Sequence, residues 1–111
     1  MTEKRVYSVY VIELDPEVLI AEPKFRRANP DWQDGKPCVY VGSTAHTPEE
    51  RFAQHLAGEH ANRYAHAYGV RLRPRLYGGW QHYESRAEAE RAEEQRALSL
   101  RKRGYAVWYG V

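Results

Sequence analysis

The chain has 111 residues, of which 42% are hydrophobic and 13% aromatic, with nine Tyr, three Trp, one Cys and a formal net charge of +2. That length suits one domain spanning 1–111 around one modest core. The small net charge excludes an undirected polycation, the lone Cys excludes an internal disulfide, and no early apolar run marks a signal or membrane segment, so a cytoplasmic protein with no membrane partner is expected.

Val6 to Leu14 combines β-branched, aromatic and aliphatic side chains with little interruption, the pattern of a strand buried on most of both faces. Alternation sets Tyr10 with Ser8 and Ile12 on one face, and Tyr7, Val9 and Val11 on the other. Residues 15–37 are punctuated by Pro16, Pro23, Pro30 and Pro37. They predict an ordered but irregular extended loop, with Val18 to Ala21 as a short apolar turn on the sheet. Its basic residues Lys24, Arg26 and Arg27 with Trp32 suit contact with a nucleic-acid strand; the other reading of Trp32 is cover for a core edge. Cys38 has only Lys36 as a cationic sequence neighbour and reads as a small buried hydrophobe, not a nucleophile.

Val39-Tyr40-Val41 predicts a second strand and Gly42 to His46 a glycine-bearing turn. A helix opens at Pro48, because Thr47 and Glu50 form a capping box and proline suits the first helical position. Arg51 and His55, four apart, then share one helical face beside an apolar stripe of Phe52 and Leu56. A planar cation that matches phosphate oxygens, an imidazole, a strand tyrosine and a glycine that admits close backbone approach suit phosphodiester chemistry. The plainer reading is a surface Arg, a buried Tyr and a capped amphipathic helix.

Ala61 to Tyr68 predicts a short second helix stopped by Gly69. From Val70 to Tyr77, arginines alternate with apolar residues. If extended, this stretch lines Arg71, Arg73 and Arg75 along one side, either as a stripe for a phosphate backbone, with Arg63 adding to it, or as a charge-protected sheet edge. Leu76 to Tyr83 predicts a third strand interrupted at Gly78-Gly79. Ser85 and Glu88 form a second capping box for a long helix from Arg86 to about Arg103, and Tyr105 to Tyr109 predicts a last short strand. On the long helix Ala89, Ala92, Glu93, Ala97 and Leu100 share a face, which makes Glu93 an acid among small apolar residues. The five histidines show no pair at helical i,i+4 spacing, so zinc is not expected.

Tyr40-Val41-Gly42 followed by Arg51-x-x-x-His55 resembles the second half of the GIY-YIG nuclease signature, and Ser8-Val9-Tyr10-Val11-Ile12 resembles the first half. The resemblance, from Tyr7 to about Leu100, implies an α/β fold of the α+β sandwich kind: a small, mainly antiparallel sheet of three to four strands flanked by three helices. It implies catalytic Tyr10, Tyr40, Arg51 and His55, with Glu93 as ligand of one Mg²⁺ or Mn²⁺ ion. It further implies a divalent-metal-dependent endonuclease with nucleic acid, DNA rather than RNA, as partner. Gly42, Arg63, Arg71, Arg73 and Arg75 are the candidate nucleic-acid contacts. The segment 15–37 is longer than the family's usual connection, and the late Asn common in the family has no counterpart. The alternative is a nucleic-acid-binding module of the same fold that has lost catalysis.

Overall fold

The β-rich run at the N-terminus forms β1, Ser8–Leu14, and pairs antiparallel with β2, Cys38–Thr44, so that Tyr10 stands opposite Gly42 and Ile12 opposite Tyr40. A computed structural model describes residues 6–78 and 82–110. Between the two strands, where an irregular loop is expected, the chain forms two five-residue helices, α1, Glu17–Ala21, and α2, Pro23–Arg27. Pro23 opens α2 at its first position, and Val18 and Phe25 are each fully buried. The segment is thus a built part of the core's rim. Trp32 covers a core edge and donates its indole N–H to the Lys36 carbonyl at 2.8 Å.

After β2 the chain forms α3, Pro48–Ala57, capped by Thr47 as expected, and α4, Arg63–Tyr68, capped by the Asn62 side chain on the Tyr64 and Ala65 amides. Then follow β3, Gly69–Leu72, a single 3₁₀ turn at Pro74–Leu76, α5, Arg86–Lys102, and β4, Ala106–Tyr109. The four strands make one sheet in the order β3-β1-β2-β4, antiparallel except for the parallel pair β2 and β4. Five α-helices among the described residues, not three, surround it. None of them is long and apolar enough to cross a membrane.

Three sequence expectations need local correction. Gly42 lies inside β2, not in a turn, because the strand runs on to Thr44. A strand is expected at 76–83, but the described residues 76–78 form none and β3 begins seven residues earlier. Pro74 cannot donate to a ladder and Leu76 closes the 3₁₀ turn, so among the described residues a bridge between Tyr7 and Tyr83 is what that stretch contributes to the pairing. Gly79 lies outside the described residues. Finally, the arginine stripe is not one extended row, since Arg71 is in β3 while Arg75 sits in the 3₁₀ turn.

The two sheet faces divide the labour. By alternation, Val9, Val11, Val39, Val41, Ser43, Val107 and Tyr109 share one face, and α5 docks there with Ala89, Ala97 and Leu100 buried. Tyr10, Ile12, Tyr40, Gly42 and Trp108 share the other, which α2, α3 and α4 cover through Phe25, His55 and Tyr64. A site that joins Glu93 to the tyrosines must therefore wrap around the end of β2.

Candidate active site

A cleft of about 800 Å³ lies where the two faces meet, and Tyr10, Tyr40, Ser43, Arg51, Glu93 and Gly110 line it. The register explains the tyrosines. Both are on the same face of paired strands, with ring centroids 6.3 Å apart. Gly42 explains why they fit: a Cβ there would overlap the hydroxyl and ring of Tyr10 and crowd the Tyr40 ring. Its φ is not in the left-handed region, so the absent side chain, not backbone freedom, is what this position needs.

His55 lies beneath the cleft, fully buried, and its Nε2 is 2.8 Å from the Tyr10 hydroxyl. The Asn62 backbone N–H donates to its other nitrogen, Nδ1, at 3.2 Å. A nitrogen that accepts carries no proton, so the proton sits on Nε2 and is donated to the phenol oxygen. Burial, with Arg51 adding its charge, pushes the imidazole down to about 4, in keeping with a neutral ring. His55 is thus a donor to Tyr10, not an acceptor of its proton.

Arg51 is fixed by three further contacts: Nη1 donates to Gln54 Oε1 at 3.0 Å and to the Glu59 carbonyl at 3.2 Å, and Nη2 to the His60 carbonyl at 2.9 Å. His60 has φ +46, in the left-handed region, so the turn between α3 and α4 is bent to aim its carbonyls inward. The same turn thereby orients Arg51 through residues 59 and 60 and His55 through residue 62. Burial raises the Tyr10 phenol well above its ordinary range, opposed by Arg51, and burial beside Tyr10 raises Tyr40 likewise. Tyr40 donates its hydroxyl to the Gly110 carbonyl at 2.5 Å.

Glu93 projects from α5 and is 7% exposed. Burial pushes its carboxyl up to about 7, against the effect of hydrogen bonds from the Ser43 side chain and backbone; the nearby charges of Glu90 and Glu94 push it further up. Among the described residues no cluster of three or more His, Cys, Asp or Glu gathers as metal ligands. What fits a divalent ion here is a single hard carboxylate facing an open cleft, the arrangement in which Mg²⁺ keeps most of its waters.

The expected nucleic-acid contacts are dispersed. Arg71 and Arg73 both pair with Glu13 on β1, at 3.5 and 2.6 Å, and Arg63 pairs with Glu22 at 2.7 Å. Gly42 is buried under the tyrosines, and Arg75 is exposed on the 3₁₀ turn, away from the cleft lining. Cys38 is buried and free, with burial pushing its thiol up to about 11, far from a thiolate nucleophile at neutral pH. Sequence reading missed Ser43, Trp108, Tyr109 and Gly110. Strand alternation carried the signal for Ser43 and Trp108, which follow Val41 and Ala106 by two, but the parallel pairing that brings β4 beside β2 is not a local property.

Residues 32–106, more than half of the chain, match the family model described as GIY-YIG catalytic domain. Tyr40, Arg51, His55 and Glu93 fall inside the matched stretch and Tyr10 precedes it. No curated protein and no solved structure matches the chain.

Proposed function

The chain belongs to the GIY-YIG family, a nuclease-type fold, and on that premise we propose that it is a divalent-metal-dependent endonuclease that hydrolyses phosphodiester bonds in nucleic acid, with DNA as the expected substrate. The whole of 1–111 acts as one domain, in the cytoplasm. The observation that supports this best is the convergence of two phenols, a guanidinium and a half-neutral carboxyl on one cleft.

In this reading Tyr10 takes the proton of a water attacking phosphorus once its own hydroxyl proton has passed to solvent water in the cleft, an ionisation that burial opposes and that Arg51, and a cation held at Glu93, would favour. His55 Nε2–H and Arg51 donate to its oxygen and hold the negative charge there. Tyr40 orients the phosphate or the water. Arg51 neutralises charge that develops on the phosphorane, its fork being held in place before substrate arrives. Glu93, oriented by Ser43, would hold Mg²⁺ or Mn²⁺. Such an ion supplies positive charge beside the scissile phosphate and the leaving oxygen.

The test is incubation with plasmid, branched and single-stranded substrates in Mg²⁺, in Mn²⁺ and in chelator. Wild type is expected to cut at least one of them only with metal, while folded Glu93→Ala and Arg51→Ala variants fall by about 100-fold or more. Cleavage by Glu93→Ala equal to wild type removes the metal role. Binding without cleavage under every condition moves the protein to the non-catalytic module.

A further inference from the structure

The cleft continues past Tyr40, Arg51 and Gly110 into a second lobe of about 260 Å³, lined also by Lys24, Arg63 and Trp108. The two lobes differ in charge. The first holds Glu90, Glu93 and Glu94 against Arg51, Arg86 and Arg101, whereas the lining of the second carries Lys24, Arg51 and Arg63 with no carboxylate, the Glu22 partner of Arg63 lying outside that lining. A phosphodiester chain that places one phosphate beside Glu93 gains no net attraction from the charge-balanced lobe and is drawn toward the basic one.

Trp108 lies between the lobes and lines both. Its position follows from the register: it stands opposite Tyr40 across the parallel pair and on the same sheet face, one strand spacing from the reacting centre. Phe25 stacks with it at 6.5 Å and Tyr64 meets it edge-on at 5.0 Å, so the indole is held rigid. Lys24 Nζ lies 5.6 Å from its ring centroid. Lys24 comes from α2, in the segment inserted between the tyrosine strands. That segment is anchored on both flanks: Glu22 accepts from Arg63 and Tyr68, and Asn29 bonds the β4 backbone.

We propose that this second lobe is a subsite for one unpaired nucleotide next to the scissile phosphate, with its base stacked on Trp108 and its phosphate held by Lys24 and Arg63. A rigid aromatic ring beside a cation is how single strands are gripped without reading sequence. The lobe's volume of about 260 Å³ suits one nucleotide, so the substrate class proposed is a single strand or a duplex frayed or branched at that point. This rests on the nucleic-acid reading of the main cleft, and it gives the inserted segment a task the family signature leaves open.

The experiment measures fluorescence anisotropy of labelled oligo(dT), oligo(rU) and a blunt duplex in chelator, so that the outcome does not depend on cleavage. The expected result is preference for single strands. Trp108→Leu, which keeps an apolar contact for Phe25 and Tyr64, should weaken single-strand binding about tenfold or more, and Trp108→Phe less. Lys24→Gln should weaken it and reduce the slope of log affinity against log salt by about one. Should Trp108→Leu fail to fold, Lys24→Gln and Trp108→Phe decide the matter alone. Unchanged binding in Lys24→Gln and Trp108→Phe, equal losses on single strand and duplex, or no binding of either by wild type overturns the subsite. Normal stacking behaviour in a protein that never cuts keeps the subsite and defeats the endonuclease.

Discussion

Glu93 and His55 are buried groups displaced in opposite directions, and their effects on stability oppose each other. Glu93 in the folded chain titrates at about 7, above its ordinary 4.5, so the native state holds that proton more tightly than the unfolded chain. Stability from this group is full below the unfolded value and is lost as pH rises through the folded one. His55, depressed to about 4 from 6.5, runs the other way: its contribution is present above 6.5 and lost as pH falls toward 4. Between the two unfolded values the slopes offset each other. Replacing Glu93 by Gln keeps the shape and a partner for Ser43 while removing the charge. Denaturant unfolding should show Glu93→Gln more stable than wild type by about 2–3 kcal/mol at about pH 8, with the gap closing to near zero by about pH 4. A gap that stays constant across that range removes the burial of this carboxylate as its cause. The variant gains stability where it loses the ligand, as expected when a site is bought with strain in the fold.

At the scale of elements, Asn29 joins α2 to β4. Its side-chain amide donates to the Phe25 and Val107 carbonyls at 2.9 and 3.1 Å, and its oxygen accepts from the Val107 N–H at 2.7 Å and from Arg101 Nε at 3.1 Å. Removal leaves a buried backbone N–H without an acceptor. Asn29→Ala should therefore cost about 2–4 kcal/mol in chemical unfolding, although it touches neither tyrosine. A loss under about 0.5 kcal/mol would mean that water replaces all of these bonds. Neither α2 nor its anchor is legible in the chain. A five-residue helix completes too few turns to show a period, and Asn29 finds its partners 72 and 78 residues away. By contrast, α3 and α5 were readable because Thr47 with Glu50 and Ser85 with Glu88 close their capping boxes within four residues. The arginine row failed for the same reason as α2: Glu13, which pairs with Arg71 and Arg73, lies on another strand. Arg51, His55 and Glu93 were legible through helical spacing and Tyr10 through the resemblance to the family signature, whereas the supports, Ser43 for Glu93 and the Asn62 amide for His55, depend on how the elements dock.

For the whole molecule, a ligand that binds only the folded chain raises its stability by mass action. If Glu93 holds a divalent ion, Mg²⁺ or Mn²⁺ at tenfold its Kd should add about 1.4 kcal/mol and lift Tm by several degrees in wild type. The same addition should leave Glu93→Gln unmoved. An equal lift in both proteins by calorimetry would locate the ion elsewhere.

The two borders of the sheet also differ. At β4 the outward N–H and C=O of Val107 are both occupied by Asn29, with Arg101 adding a second donor to the carbonyl at 2.8 Å. At β3 the border is only four residues long and carries Arg71. A side chain impersonating a neighbouring strand occupies the outward groups of Val107 on one flank, and brevity with charge guards the other, so pairing of copies edge to edge is disfavoured at both borders.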